Sequence, residues 1–251
     1  TYAFRYALSS FPGSIAVVEE AGQRVASQGV TTEFYFRGAS RNMAGAYGEE
    51  FAKVMVYLSS IFGEPAQKNL TVVETEDGAP NGYGAPGLVF LSTRTIAKQV
   101  NPRVVANQVA RQWWTVLVSP ENRNHIWLTN GMARYAEILY LGQANGPGAM
   151  DTEIKDTYIE ALTVENPPLI QAGRLEDYSP EYWAATANKG AAVMNMFGRS
   201  KEARKTGASV RSSWTRMSST VRGSAVAVSA RRGTPGKFRP STPRPRYSGR
   251  K

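Results

Sequence analysis

Four polar residues with regular spacing are the part of this sequence best placed to do chemistry. Asn107, Gln108 and Arg111 lie within one predicted helical turn, and Asn130 follows after a gap of 18 residues. Residues four apart leave the same face of a helix, so Asn107 and Arg111 point in one direction with Gln108 beside them. This is the spacing of a two-helix metal site, but the residue types are amides and a guanidinium.

Two helices joined by a polar turn are predicted to position these residues, over 101–140. Asn101 is a suitable cap for the first helix, and Pro102 fits its first position, where a missing N–H has no cost. Asn130 is predicted to open the second helix, and His125 lies in the turn before it. The first helix carries one stripe of residues with helical spacing, Val105, Val109, Gln112 and Val116.

The sequence around the four positions resembles that of the membrane alanyl aminopeptidase family of metallopeptidases. VVANQVARQWWTVLVSP is similar to the family's V-x-A-H-E-x-A-H-Q-W-W-G-x-x-V-x-P, and IWLTNGMARY is similar to x-W-L-N-E-G-F-A-x-Y. The resemblance covers about residues 1–197. It implies an α+β fold, a zincin-like (thermolysin-like) domain with a mixed sheet and a helical active-site lobe. It also implies one zinc ion and the removal of residues from peptide N-termini.

The resemblance assigns a role to each of the four polar positions. The family's two zinc-binding histidines fall on Asn107 and Arg111, its general-base glutamate on Gln108, and its third ligand, a glutamate, on Asn130. An amide is a weak donor without a useful pKa, so Gln108 cannot act as a general base. Arg111 stays protonated and opposes a dication by roughly 8 kcal/mol at about 4 Å and an effective dielectric of about 20. We therefore expect no zinc here.

The rest of the sequence offers no replacement ligands. It contains a single histidine, His125, and no cysteine, so a site with two histidines cannot be built. His125 is interpreted as a surface residue or a residue at the start of a helix. A site made of carboxylates alone would favour Ca²⁺ or Mg²⁺, and the sequence shows no clustered set of them.

Two further stretches resemble the family's substrate-binding elements. Gly84-Ala85-Pro86-Gly87-Leu88 resembles G-A-M-E-N, an edge strand that lines the peptide groove, and puts the glutamate that holds the substrate amine on Gly87. The family's Y-x-K-G-A puts Ala187 where a tyrosine polarises the substrate carbonyl, and Tyr182 is five residues from that position, an unlikely offset for a substitute. The predicted peptide-cleft residues are Gly84, Ala85, Pro86, Gly87 and Arg134.

The order of predicted elements divides the chain into three parts. Residues 1–37 alternate as strands and correspond to the C-terminal part of the family's β-domain, and 38–197 to a truncated catalytic-type domain. Within 38–197 we predict a helix over 40–62, capped by Ser40 or Asn42, and strands at 69–74 and 88–92. A further helix is predicted at 151–162, with acidic residues in its first turn.

The third part, 198–251, differs sharply in charge and composition. Residues 1–197 hold 15 Lys and Arg against 19 Asp and Glu, whereas 198–251 hold 15 against one. A segment rich in Arg, Ser, Gly and Pro is expected to be disordered. Three interpretations stay open: a solvated cationic tail, a nucleic-acid-binding tail, and out-of-frame translation of a G+C-rich gene. No apolar stretch of the chain reaches the ~18 residues of a membrane span.

The sequence thus favours a non-catalytic member or remnant of the family, without a bound cofactor, that keeps a peptide-binding cleft. One alternative is an active zinc-dependent aminopeptidase with an atypical site. The other is nucleic-acid binding through the basic tail.

Overall fold

The structure is a computed structural model that describes residues 15–19, 21–77, 81–120 and 122–198. The alternation predicted near the N-terminus, at residues 2–8, and the basic tail from residue 199 onwards lie outside the described residues.

A five-stranded mixed sheet forms one layer of the described fold. Its strands are β1 Gln23–Ser27, β2 Val30–Tyr35, β3 Leu70–Thr75, β4 Gly82–Ala85 and β5 Leu88–Ser92. The order across the sheet is β1-β2-β3-β5-β4, with β2, β3 and β5 parallel and the two edge strands antiparallel to their neighbours. The strands predicted at 69–74 and 88–92 are confirmed, and β4 is an edge strand.

Residues on both sides of the predicted domain boundary at residue 37 contribute to this sheet and its core. Strand β2 pairs with β3 in parallel register, with Phe34 opposite Val72. The Phe34 ring is fully buried and packs edge-on against Phe51, with ring centroids 5.8 Å apart. Residues 23–36 therefore belong to the same packed unit as the segments that follow them.

The helices form the second layer and the lobe beside the sheet. They are α1 Ala44–Phe62, α2 Pro102–Ala110, α3 Ile126–Asn145, α4 Pro147–Ala161, α5 Pro180–Trp183 and α6 Gly190–Gly198. Residues 184–189 form a wider, π-helical turn that joins α5 to α6 without a break. Helix α1 packs on the sheet, and α3 packs against α2, α4 and α6, so α3 is the central element of the lobe.

Two helix starts differ from the sequence predictions. Neither Ser40 nor Asn42 caps α1, because 38–43 form a separate tight turn and the Ser40 hydroxyl donates to Glu74 Oε1 at 3.2 Å. Helix α4 begins at Pro147, four residues earlier than predicted, so the acidic residues expected in its first turn lie further along. The cap of α2 is confirmed, since the Arg103 N–H donates to Asn101 Oδ1 at 3.0 Å.

The apolar pattern of α2 and the following turns is confirmed by burial. Val105, Val109 and Gln112 are completely buried, and Val116 is almost so. Gln112 Nε2 donates to the Ala85 carbonyl at 2.9 Å and its Oε1 accepts from the Gly87 N–H at 3.0 Å. This side chain therefore fixes the turn between β4 and β5 above α2.

A close glycine contact sets the distance between α3 and α6. A Cβ on Gly131 would lie 2.6 Å from the Gly190 carbonyl carbon, and one on Gly190 would lie 2.8 Å from the Trp127 carbonyl oxygen. The two backbones therefore touch with no side chain between them. Among the helices of the described ranges, none has the length and apolar character needed to cross a bilayer.

Candidate functional site

The four polar residues singled out by their spacing form one cluster between α2 and α3. Arg111 Nη1 donates to Asn130 Oδ1 at 3.1 Å, and Gln108 Nε2 donates to Asn107 Oδ1 at 3.3 Å. Asn130 lies in the second turn of α3 and does not open it, because the helix already begins at Ile126. The predicted pairing of the two helices through these residues is nonetheless the arrangement observed.

The segment from α5 to α6 encloses Asn130 from the other side. Asn130 Nδ2 donates to the Tyr182 hydroxyl at 3.3 Å and to Thr186 Oγ1 at 3.1 Å, and both of these residues are buried. Burial raises the pKa of Tyr182, against the hydrogen bond from Asn130. The sequence offset disfavoured Tyr182 as a substitute, but this helical segment brings its hydroxyl to a predicted site residue.

A cavity of about 640 Å³ opens over the cluster. It is bounded by α2, α3, the start of β4 and the turns around α5. Its lining combines polar and apolar surface and includes Asn81, Gly82, Arg94, Asn101, Arg103, Val104, Asn107, Gln108, Arg111, Glu137, Tyr178, Trp183 and Ala187. Three of the four polar positions and the predicted Ala187 therefore face one cleft.

The predicted edge-strand residues Gly84, Ala85, Pro86 and Gly87 lie beside this cleft and outside its lining. A Cβ on Gly84 would lie 2.8 Å from Arg111 Cβ, so β4 lies directly against the side of Arg111. Ala85 is buried. Pro86 and Gly87 line other depressions, beside Gln67 and Thr71, and are not part of the cleft lining.

Arg134 lies behind the cleft in a four-residue charge network. Its guanidinium is in direct contact with Glu137 and also reaches Glu153 at 3.3 Å, and Arg103 pairs with Glu153 as well. Burial raises the pKa of Glu137, against the charge of Arg134 and a hydrogen bond from Asn107. Burial also acts to raise the pKa of Glu153, but the hydrogen bonds and charges of Arg103 and Arg134 outweigh it and lower that pKa.

Glu137 is the residue that the sequence analysis missed. Its Oε2 accepts from Asn107 Nδ2 at 3.3 Å, and its side chain lines the cleft. The signal was present, because Asn130, Arg134 and Glu137 follow at i, i+4 and i+7 and must share one face of α3.

Arg111 places a positive charge in the lining of the cleft. No carboxylate of a described residue comes within the 4.0 Å of an ion pair, and its Nε is shielded from solvent with no acceptor in the same part of the chain. Burial lowers the pKa of Arg111. A guanidinium nevertheless stays protonated in proteins, so this is a positive charge without a direct counter-ion.

The residues at this position do not fit a zinc ion. Zinc is held by imidazole, thiolate and carboxylate groups, whereas the cluster offers three amides and a cation. Within the described ranges, no group of three His, Cys, Asp or Glu side chains is close enough together to hold a metal. His125 lies outside the cluster, at the start of α3.

Two known proteins that share one name match this chain in sequence. The chain is 31% identical over 99 residues to endoplasmic reticulum aminopeptidase 2 of Bos taurus, a match covering 38% of the chain and 10% of that protein. It is 28% identical over 187 residues to the Homo sapiens protein of the same name, covering 68% of the chain and 19% of that protein. No family model matches the chain.

Solved structures also match the fold of this chain. The M1 zinc metallopeptidase from Deinococcus radiodurans superposes with a TM-score of 0.58 at 19% identity, over 81% of this chain and 43% of that one. Native yeast LTA4 hydrolase superposes with a TM-score of 0.56 at 17% identity, over 78% of this chain and 33% of that one.

The chain is therefore similar in sequence to endoplasmic reticulum aminopeptidase 2 and in fold to the M1 zinc metallopeptidases, and the resemblance stated from its motifs is confirmed. Its predicted α+β class, with a mixed sheet and helices, is confirmed as well. The matches extend over about a fifth or less of the length of the two curated relatives.

Proposed function

We propose that this chain is a non-catalytic relative of the M1 metallopeptidases whose cleft binds peptides without zinc. The observation that carries the proposal is the Arg111–Asn130 hydrogen bond of 3.1 Å between α2 and α3. It joins the two positions that correspond to a histidine and a glutamate ligand in the family. A guanidinium there supplies the positive charge between the helices that a metal ion would otherwise supply.

The residues that would carry out hydrolysis are also replaced. Gln108 stands at the general-base position, and its amide cannot take a proton from water near neutral pH. Ala187 lines the cleft where the family has a tyrosine, and it has no group to polarise a carbonyl. Glu137 is an acid in the cleft, but it is held by Arg134 and accepts from Asn107.

Retention of a cleft supports binding as the remaining activity. The cavity of about 640 Å³ is of the size that holds small ligands, and the edge strand β4 starts at its rim. An edge strand has unpaired N–H and C=O groups, and these can pair with an extended peptide.

The test is to incubate the purified full-length chain with a mixture of short peptides in the presence of zinc sulfate. Equilibrium dialysis reports retention, and mass spectrometry reports cleavage. The proposal expects peptides to be retained with unchanged masses. Loss of N-terminal residues, abolished by a chelator, would instead establish the active aminopeptidase with an atypical site.

A pair of glycine variants tests whether the peptides occupy this cleft. A Cβ on Gly82 would lie 2.6 Å from Gln108 Cδ, so Gly82→Leu fills the cleft beside the cluster. At Gly148 on α4, no atom of the part of the chain that the structure describes lies within 4 Å of the corresponding position, so Gly148→Leu is the matched control. Gly82→Leu is expected to lose peptide retention while Gly148→Leu keeps it. Equal retention by both variants would place the peptide elsewhere.

A further inference from the structure

We propose that the Arg111 guanidinium is a receptor for a peptide carboxylate, so that the cleft recognises an acidic group of its ligand. This inference rests on the proposed function and specifies its ligand class. The geometry that carries it is a partly buried cation in the wall of a cavity, with a shielded Nε that has no acceptor among the described residues.

The charges around the cavity favour an anion. Its lining includes three arginines, Arg94, Arg103 and Arg111, and one acid, Glu137. Glu137 is in contact with Arg134 and lies 3.9 Å from Arg103. The acid is thus engaged by two other cations, and no ion pair with Arg111 is formed in the described part of the chain. A carboxylate that enters the cleft supplies the missing counter-charge.

The neighbouring amides are suited to complete the site. Among the described residues, Gln108 Oε1 is buried without a donor, and Gln108 Nε2 donates to Asn107 Oδ1 alone. Rotation of the Gln108 amide gives up its hydrogen bond to Asn107 Oδ1 and turns its N–H₂ group to a carboxylate oxygen, a charge-assisted bond that replaces a neutral one. The site would then hold a carboxylate with one charged and one neutral donor.

Stability separates this role from a purely structural one. A buried cation without a counter-ion is costly, so Arg111→Met, which keeps the length of the side chain, should leave the melting temperature unchanged or raise it. If Arg111 serves mainly to tie α2 to α3, the same substitution should lower it. Loss of binding without loss of stability is the result expected from a receptor.

The binding test uses three N-acetylated alanine peptides and the full-length chain in calorimetric titrations. The first has a free C-terminal carboxylate, the second an amidated C-terminus, and the third an amidated C-terminus with one glutamate. The control variant is Arg24→Met on β1, an exposed arginine outside the cleft lining. Because the basic tail is kept in every variant, its attraction for acidic peptides cancels in the comparison.

The inference expects the free-acid peptide to bind the parent chain and Arg24→Met equally. Arg111→Met should bind it about tenfold more weakly or worse, as for the loss of a hydrogen bond to a charged group. Binding of the third peptide but not the second identifies a side-chain carboxylate as an equally good source. Equal binding of the first two peptides, or no effect of Arg111→Met, would overturn the carboxylate site while leaving a peptide cleft. Cleavage of peptides would instead overturn the proposed function.

Discussion

Arg111 on the turn after α2 donates from Nη1 to Asn130 Oδ1 on α3, over 3.1 Å. This contact links two positions that are 19 residues apart in sequence, one directly after α2 and the other within α3. The fold therefore brings together two of the positions that the spacing had singled out.

Zinc binding should return if the donor types are restored on this backbone. The triple variant Asn107→His, Arg111→His and Asn130→Glu supplies two imidazoles and a carboxylate and removes the opposing cation. We expect it to bind one zinc ion per chain, measured by metal analysis after dialysis. The double variant that keeps Arg111 is the control and should bind none, because the cation opposes the dication. Equal binding by the two variants would show that Arg111 does not exclude the metal.

The glycine contact between α3 and α6 should be sensitive to one methyl group. Gly131→Ala places a Cβ 2.6 Å from the Gly190 carbonyl carbon, so the helices must separate. We expect a loss of about 1–3 kcal/mol in the free energy of unfolding, measured by urea denaturation. Gly148→Ala has open space and is the control, with an expected gain of about 0.5–1 kcal/mol from helix propensity. An unchanged free energy of unfolding in Gly131→Ala would contradict the close approach of α3 and α6 at this position.

The charge network behind the cleft predicts a pH dependence of stability. Although burial alone would raise it, the pKa of Glu153 is held below its ordinary value of 4.5 by Arg103 and Arg134. Its stabilisation is therefore complete above pH 4.5 and is lost as the pH falls through the lowered folded-state value. Glu153→Gln should lower the free energy of unfolding by roughly 1–3 kcal/mol near neutral pH and by less in acid.

Urea denaturation at a series of pH values measures this difference. Glu165→Gln, at an exposed position after α4, is the control and should change stability little at any pH. A cost of Glu153→Gln that stays constant from neutral pH into acid would contradict the assigned linkage.

Local sequence signals predicted which helices and strands form better than they predicted where these elements begin and end. The strands at 70–75 and 88–92 and the cap at Asn101 follow from alternation and capping chemistry. The start of α1 was missed because Ser40 is bound to Glu74, a residue distant in sequence. The pairing of β2 with β3 across the predicted boundary at residue 37 was not foreseen, because strand pairing between distant segments leaves no local signature.

The site residues were likewise predictable only where a local pattern reveals them. Asn107, Gln108, Arg111 and Asn130 were found because helical spacing is a local property. Tyr182 was set aside because its sequence offset does not reveal how α5 packs against α3, and packing brings its hydroxyl to Asn130. Arg134 was predicted in the cleft, but the structure directs it to Glu137 and Glu153.

The most direct test of a zinc-free, non-catalytic cleft is the zinc content of the purified full-length chain after incubation with zinc and dialysis. Metal analysis is combined with the release of an aminoacyl chromophore, with and without a chelator. We predict no stoichiometric zinc and no chelator-sensitive release. One zinc ion per chain, together with turnover that the chelator abolishes, would contradict it.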